Sequence, residues 1–188
     1  HKGEKWFEGI FKLPSLEIIM SSDLSIARRL KKILSFSKKV NSSFLSEGGI
    51  VETHLEFNRF WGLGSSSSLI INIATWAKIN PYDLLNFTFG GSGYDIACGL
   101  AKGPIFFTKR KKKYHVEAAT FSPPFADQLY FIYLNRKKNS QQAIKDFDSK
   151  NVSPNKIKEL NNLTNIISST NNLNEFEKAI EFHEKIIG

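Results

Sequence analysis

Residues 62–68 read Gly-Leu-Gly-Ser-Ser-Ser-Ser and combine two residue types that suit a phosphate-binding turn. Glycines let the backbone approach a ligand closely, and serines at a helix start place hydroxyls beside backbone N–H groups that lack partners within the helix. The helix dipole adds partial positive charge at the same end, which favours an anion such as phosphate. The turn is not a Walker A loop, because no Lys-Ser or Lys-Thr pair follows its second glycine. An ordinary helix N-cap with a tight turn would have the same composition.

A second candidate site lies in residues 90–101, where Asp95 is the one carboxylate among glycines, small residues and bulky apolar residues. A carboxylate in such an apolar setting is a candidate general base. A plainer interpretation is that Asp95 caps a helix or pairs with a lysine. The residues of this stretch leave both interpretations open.

Taken together, the two stretches resemble the GHMP kinases, which include galactokinase and the homoserine, mevalonate and phosphomevalonate kinases. The second motif of that family reads P-x-x-x-G-L-G-S-S-A, and residues 58–67 read N-R-F-W-G-L-G-S-S-S. Mevalonate kinases carry S-G-x-D-x-A at the catalytic aspartate, and residues 92–97 read S-G-Y-D-I-A. The string G-Y-D-I-A resembles the one for which a bacterial subgroup of the family is named. Softer matches extend the resemblance from about Glu52 to the end of the chain.

The resemblance implies an ATP-dependent phosphotransferase that uses Mg²⁺ and phosphorylates an alcohol, with mevalonate or a related isoprenoid precursor as a candidate acceptor. The ATP phosphates would be bound by Gly62, Leu63, Gly64, Ser65, Ser66 and Ser67. Ser66 would also offer its hydroxyl to Mg²⁺, and Asp95 would take the proton of the attacking hydroxyl. Phosphoryl transfer of this kind depends on positioning and on charge stabilisation.

The chain departs from the family pattern at Leu84, eleven residues before Asp95, where mevalonate kinases carry a Mg²⁺-binding glutamate. The resemblance also implies a strand before His1 and a glycine-rich third motif after Gly188. On this interpretation the chain is the middle of a kinase and need not be active by itself. The alternative is a non-catalytic nucleotide-binding or nucleic-acid-binding module on the same scaffold, because a fold does not determine a function.

The pattern of apolar residues predicts an α+β fold, with strands and helices mixed along the chain. Strands are predicted at residues 6–11, 50–57, 105–108, 114–118 and 129–134. Helices are predicted from the Asp23 cap to about Val40, from Ser65, from Pro81, and at residues 94–101, 140–148, 155–168 and 173–187. We expect the strand at 50–57 to lead directly into the glycine loop, and the helices beginning at Ser65 and next to Asp95 to face one ligand.

The resemblance adds a two-domain GHMP-kinase architecture, with mixed or antiparallel sheets and helices packed on one face. Residues 1–122 would form the N-terminal ATP-binding domain, incomplete at its start, and residues 125–188 part of a C-terminal domain. Pro123-Pro124 and the change to long polar helices mark the predicted boundary.

The net positive charge of the chain indicates what kind of partner it could bind. There are 26 Lys and Arg against 18 Asp and Glu, a net charge of +8, which suggests an anionic partner. A lysine-rich composition is also what an A/T-rich genome would encode. The run of five cations at residues 109–113 is typical of a solvated hairpin tip, and no aromatic residue interrupts it. We therefore do not expect nucleic acid as a partner, and the family resemblance implies ATP and a small alcohol instead.

The single cysteine, Cys98, excludes a disulfide scaffold and a four-thiolate zinc site, and it fits a reducing compartment. We expect its side chain to be buried as a small hydrophobic group. His54, His115 and His183 are scattered without metal-ligand spacing. No apolar run approaches the ~20 residues of a membrane span, and no signal peptide opens the chain. These features predict a cytoplasmic protein that does not enter a membrane, and they indicate no oligomeric state.

Overall fold

The structure is a computed structural model, and it describes residues 5–111, 113–133 and 153–187. The predicted α+β class is confirmed, because these residues form six α-helices and two small antiparallel sheets. The strands are β1 (Gly9–Lys12), β2 (Glu17–Ser21), β3 (Ile105–Arg110) and β4 (Lys113–Ala118). The helices are α1 (Leu24–Val40), α2 (Ser65–Ala77), α3 (Pro81–Thr88), α4 (Tyr94–Leu100), α5 (Pro154–Ser169) and α6 (Leu173–Ile187). None of the described helices is long and apolar enough to cross a membrane.

The chain divides into two compact units. The first contains residues 1–101 and 109–115, and the second contains residues 102–108 and 116–188. Every residue of the candidate site belongs to the first unit. The assignment of residues 1–122 and 125–188 to two GHMP-kinase domains remains a prediction.

The first unit begins with the β1–β2 hairpin, whose antiparallel register is interrupted by an irregularity between Ile10 and Phe11. Helix α1 follows and begins where the sequence predicts it. The Asp23 carboxylate accepts hydrogen bonds from the backbone N–H groups of Ser25 and Ile26, at 2.8 and 3.1 Å. Such an N-cap satisfies donors that have no partner inside the helix, which explains the sharp start of α1.

The core of the first unit is helical. Four of its largest fully buried side chains come from four different helices: Ile33 from α1, Ile70 from α2, Leu84 from α3 and Ile96 from α4. Burying one such aliphatic side chain contributes about 1.5–3 kcal/mol. Because the four meet in one cluster, the core holds α2 and α4 beside each other.

Two predicted strands are absent from the structure. Residues 50–57 form no strand, and Ile50 is 93% exposed, although apolar and polar residues alternate there. Residues 129–133 also form no strand, and Phe131 is fully exposed; Leu134 lies outside the described residues. Alternation predicts a strand only where a neighbouring strand pairs with it and a surface covers its apolar face. Neither is present for these segments in the part of the chain that the structure describes.

The second unit contains the base of the β3–β4 hairpin, which the sequence predicts, and the helices α5 and α6. The two helices pack against each other and confirm the predictions at 155–168 and 173–187. The Phe176 ring of α6 packs against Phe125, with ring centroids 5.2 Å apart. The helix predicted at 140–148 lies outside the described residues.

Candidate functional site

The glycine loop adopts the backbone conformation that its residue types allow. Gly62 and Gly64 have φ angles of 77° and 76°, in the left-handed region that side chains disfavour. A Cβ atom at either position would meet nothing within 4 Å. Glycine is therefore favoured here by the backbone conformation and not by a lack of space for a side chain. Gly64 is the N-cap of α2, and no side chain of the described residues caps this helix end. An uncapped N-terminus leaves backbone N–H groups available to an anion.

Asp95 lies in the first turn of α4, directly after a cluster of glycines. Gly90, Gly91 and Gly93 have φ angles of 68°, 105° and 86°, and Gly93 is the N-cap of the helix. The Asp95 side chain is exposed and does not pack in the core. A carboxylate in the first turn of a helix interacts favourably with the helix dipole.

The two stretches meet at one cavity of about 370 Å³. Its lining consists of Gly62, Leu63, Gly64, Ser67, Ser68, Ile71, Tyr94, Asp95, Cys98 and Gly99. The volume lies within the range of small-molecule sites. Residues about thirty positions apart in sequence are thus brought to one concave surface.

Close packing of α2 and α4 explains why α4 is built from small residues. A Cβ atom at Gly99 would lie only 2.6 Å from Cδ1 of Ile71. Glycine at this position therefore leaves room for the end of the Ile71 side chain between α4 and α2. A larger residue at position 99 would require the Ile71 side chain to change its rotamer.

The predicted site residues divide into two groups by placement. The cavity lining includes Gly62, Leu63, Gly64, Ser67 and Asp95. Ser65 and Ser66 lie in the first turn of α2 and do not line the cavity; the Ser66 side chain is exposed. The role of each residue remains a prediction.

Sequence reasoning missed five lining residues: Ser68, Ile71, Tyr94, Cys98 and Gly99. Helical spacing from the predicted residues could have indicated most of these positions. Residues three or four positions apart share a helix face, so Ser68 and Ile71 follow from Gly64, and Cys98 and Gly99 follow from Asp95. Extending each motif by one turn would have found them.

The expected burial of Cys98 is wrong, because its thiol is exposed and lines the cavity. Tyr94, one turn earlier, contributes the aromatic part of the lining. Burial, followed by the neighbouring Cys98 and Asp95, raises the pKa of the Tyr94 phenol. Tyr94 therefore remains a neutral hydroxyl at neutral pH and brings no charge to the cavity.

Leu84, at the position where the resemblance implies a metal-binding glutamate, is fully buried in the core. Neighbouring Asp83 is exposed in the first turn of α3 and does not line the cavity. No group of three or more His, Cys, Asp or Glu that could hold a metal occurs in residues 5–111, 113–133 and 153–187. Mg²⁺ often binds through one or two carboxylates together with substrate phosphates. A single carboxylate, Asp95, fits a Mg²⁺ ion that arrives with a nucleotide.

Comparisons of this chain with known proteins identify no relative: no family model matches, and no curated protein or solved structure matches at a significant level.

Proposed function

We propose that the protein is an ATP-dependent small-molecule kinase of the GHMP type, which transfers the γ-phosphoryl group of ATP to an alcohol. The observation that carries the proposal is that the Gly-Leu-Gly loop, which ends at the uncapped N-cap of α2, lines a single cavity together with Asp95. Its anion-binding groups belong to one wall and its carboxylate to the other. The proposal includes the GHMP two-domain architecture and a cytoplasmic location.

In this proposal the phosphates bind at the start of α2. The backbone at Gly62 and Gly64 allows close approach, and the unpaired N–H groups and the helix dipole favour negative charge. The same wall also carries the hydroxyls of the buried Ser67 and of Ser68. Donors that are already in place stabilise the charge of the transferring group without reorganising during the reaction.

Asp95 is proposed as the general base. The acceptor hydroxyl oxygen forms a bond to the γ-phosphorus while the bond from that phosphorus to the bridging oxygen of ADP breaks. The proton of the hydroxyl passes to the Asp95 carboxylate. Mg²⁺ would neutralise phosphate charge, with the exposed hydroxyl of Ser66 at the start of α2 as its proposed protein ligand.

Binding of Mg·ATP tests the phosphate site, by isothermal titration calorimetry on the chain and on Gly64→Val. Valine at a φ of 76° costs about 1–2 kcal/mol and places a branched side chain where the phosphates would bind. We expect Gly64→Val to lose binding and to keep its circular dichroism spectrum. Gly48→Val is the matched control, because Gly48 also has open space around it but lies away from the cavity. Equal ATP affinity in all three proteins would move the site elsewhere.

The burial of Leu84 favours a second candidate function, a nucleotide-binding module without catalysis. A core leucine supplies no oxygen to Mg²⁺, so one of the family's metal ligands is lost. The distinguishing experiment uses the protein in the full length that its gene encodes. ATP binding without phosphorylation of any alcohol in a panel of small hydroxylated metabolites would favour the module over the kinase.

A further inference from the structure

The tip of the β3–β4 hairpin docks on α3 in the first unit. The ring of Tyr114 on β4 stacks on Tyr82 of α3, with centroids 4.2 Å apart and an interplanar angle of 18°. The Tyr114 hydroxyl accepts a hydrogen bond from Nδ2 of Asn86 at 2.9 Å and donates one to its Oδ1 at 3.1 Å. One aromatic stack and two hydrogen bonds therefore connect the hairpin tip to α3.

The same tyrosine pair packs on the N-cap of α4. A Cβ atom built on Gly93 would lie 2.9 Å from Cε1 of Tyr114 and 3.2 Å from Cδ1 of Tyr82. Gly93 is buried, and its φ of 86° is one that side chains rarely adopt. Both the packing and the conformation therefore require glycine here. The tyrosine rings thus hold the backbone two residues before Asp95.

Lys109 adds a contact to the glycine cluster. Its ammonium donates a hydrogen bond to the carbonyl oxygen of Gly91 at 2.8 Å, and it lies 5.4 Å from the Tyr114 ring centroid. Lys109 is exposed, as are the other described cations of the tip, Arg110, Lys111 and Lys113. Lys109 therefore remains in contact with solvent, as expected for a hairpin tip, and also contacts the loop that leads into α4.

We infer that Lys109 and the Tyr82–Tyr114 pair are positioning residues, which hold residues 90–93 and the start of α4 so that Asp95 faces the cavity. Three glycines with positive φ make this segment costly to order, so contacts from outside must restrain it. Misplacing a reacting group by about 1 Å can cost roughly 10²-fold in rate. The part of the inference that concerns catalysis rests on the proposed kinase function, whereas the part that concerns the position of α4 does not.

Cys98 offers a readout that is independent of catalysis. It is the only cysteine of the chain, its thiol is exposed, and it lies on α4 one turn after Asp95. The rate of its reaction with iodoacetamide reports access to this helix. We expect Lys109→Met to change that rate by about threefold or more, because the thiol is already exposed and its reactivity then depends on the local environment that the position of α4 sets. Lys109→Arg keeps a cationic donor and should restore a rate near that of the wild type.

Lys111→Met is the matched control, because it removes the same charge from an exposed position in the same tip. We expect its alkylation rate to stay near the wild-type value. Thermal unfolding is followed in parallel, so that a change at Cys98 can be separated from loss of the whole fold. Tyr114→Phe provides a second variant, which loses the bonds to Asn86 but keeps the stacked ring, and should change the rate less than Lys109→Met. Equal alkylation rates in Lys109→Met and Lys111→Met would overturn the inference.

Kinetics of the full-length protein test the link to catalysis. We expect Lys109→Met to lower kcat about tenfold or more and to leave KM for ATP within about twofold, because the contacts of Lys109 are to the glycine cluster and Tyr114, not to the 62–64 loop. An unchanged kcat with altered Cys98 reactivity would refute the catalytic part alone. A wild-type protein without kinase activity would refute the proposed function, and the Cys98 experiment would still decide whether Lys109 positions α4.

Discussion

Replacing Leu84 by glutamate would restore the residue type with which mevalonate kinases bind Mg²⁺, eleven residues before the catalytic aspartate. In this structure, however, the Leu84 side chain is 0% exposed and packs in the helical core of the first unit. We therefore expect Leu84→Glu to destabilise that unit and not to strengthen binding of Mg·ATP.

The size of the effect follows from burial at position 84. Removing a fully buried leucine loses about 1.5–3 kcal/mol of hydrophobic stabilisation. A buried carboxyl group without a hydrogen-bond partner costs about 1–3 kcal/mol more, even when it is protonated. The combined loss of roughly 3–6 kcal/mol is large against the ~5–15 kcal/mol that stabilises a typical domain. At a few degrees per kcal/mol, Tm should fall by at least about 10 °C.

The assay is thermal and urea unfolding followed by far-UV circular dichroism, with Mg·ATP titrated into each protein. Leu84→Met is the control, because a substitution that conserves volume usually costs less than about 1.5 kcal/mol. A Leu84→Glu protein that keeps its Tm and binds Mg·ATP more tightly than the wild type would refute the burial of this position. It would also place residue 84 at the nucleotide.

Three further predictions concern titratable groups. In the full-length protein, Asp95→Asn should lower kcat by about 10²-fold with little change in ATP affinity. Steady-state kinetics measure the first quantity and calorimetry the second. Lost ATP binding with retained turnover would instead make Asp95 a metal ligand. The Ser25 hydroxyl and the Ile26 N–H hold the pKa of Asp23 below its usual 3.8, so its stabilising charge is present above that pH and is lost as pH falls through the lower folded-state value. Urea unfolding should therefore show Asp23→Asn less stable than the wild type at neutral pH, with the difference shrinking in acid. Burial raises the pKa of the phenols of Tyr94 and Tyr82, so a Tyr94→Phe protein should lose part of the late phase of the phenolate absorbance titration and keep the part that belongs to Tyr82.

Local signals in the sequence were sufficient for the helix starts. Asp23 predicts the start of α1 because a carboxylate satisfies free N–H groups whatever surrounds it, and the structure contains those hydrogen bonds. Gly64 and Gly93 similarly predict breaks followed by helices, because few other residues adopt a positive φ. Both parts of the candidate site could therefore be located from the chain alone.

Properties that depend on distant residues could not be predicted in this way. The segment at 50–57 alternates like a strand, but a strand also needs a pairing neighbour that alternation does not reveal. The exposure of Cys98 depends on the rotation of α4, which the burial of Ile96 and Ala97 on its other face sets. The contact of Lys109 with Gly91 joins residues 18 positions apart and depends on how the hairpin docks.

The family resemblance implies that the glycine loop, the aspartate and a metal-binding residue belong to one site, but the structure places the third of these positions in the core. The Gly-Leu-Gly loop and Asp95 meet because α2 and α4 pack against each other, with the end of the Ile71 side chain lying beside Gly99. The metal position of the resemblance belongs instead to α3, which buries Leu84 on the side that packs against the core. The glycine-loop wall and the carboxylate wall of the cavity therefore do not depend on the residue type at position 84, because different helix contacts support them. Under the proposed function, more of the charge stabilisation would fall on the start of α2 than the resemblance alone implies.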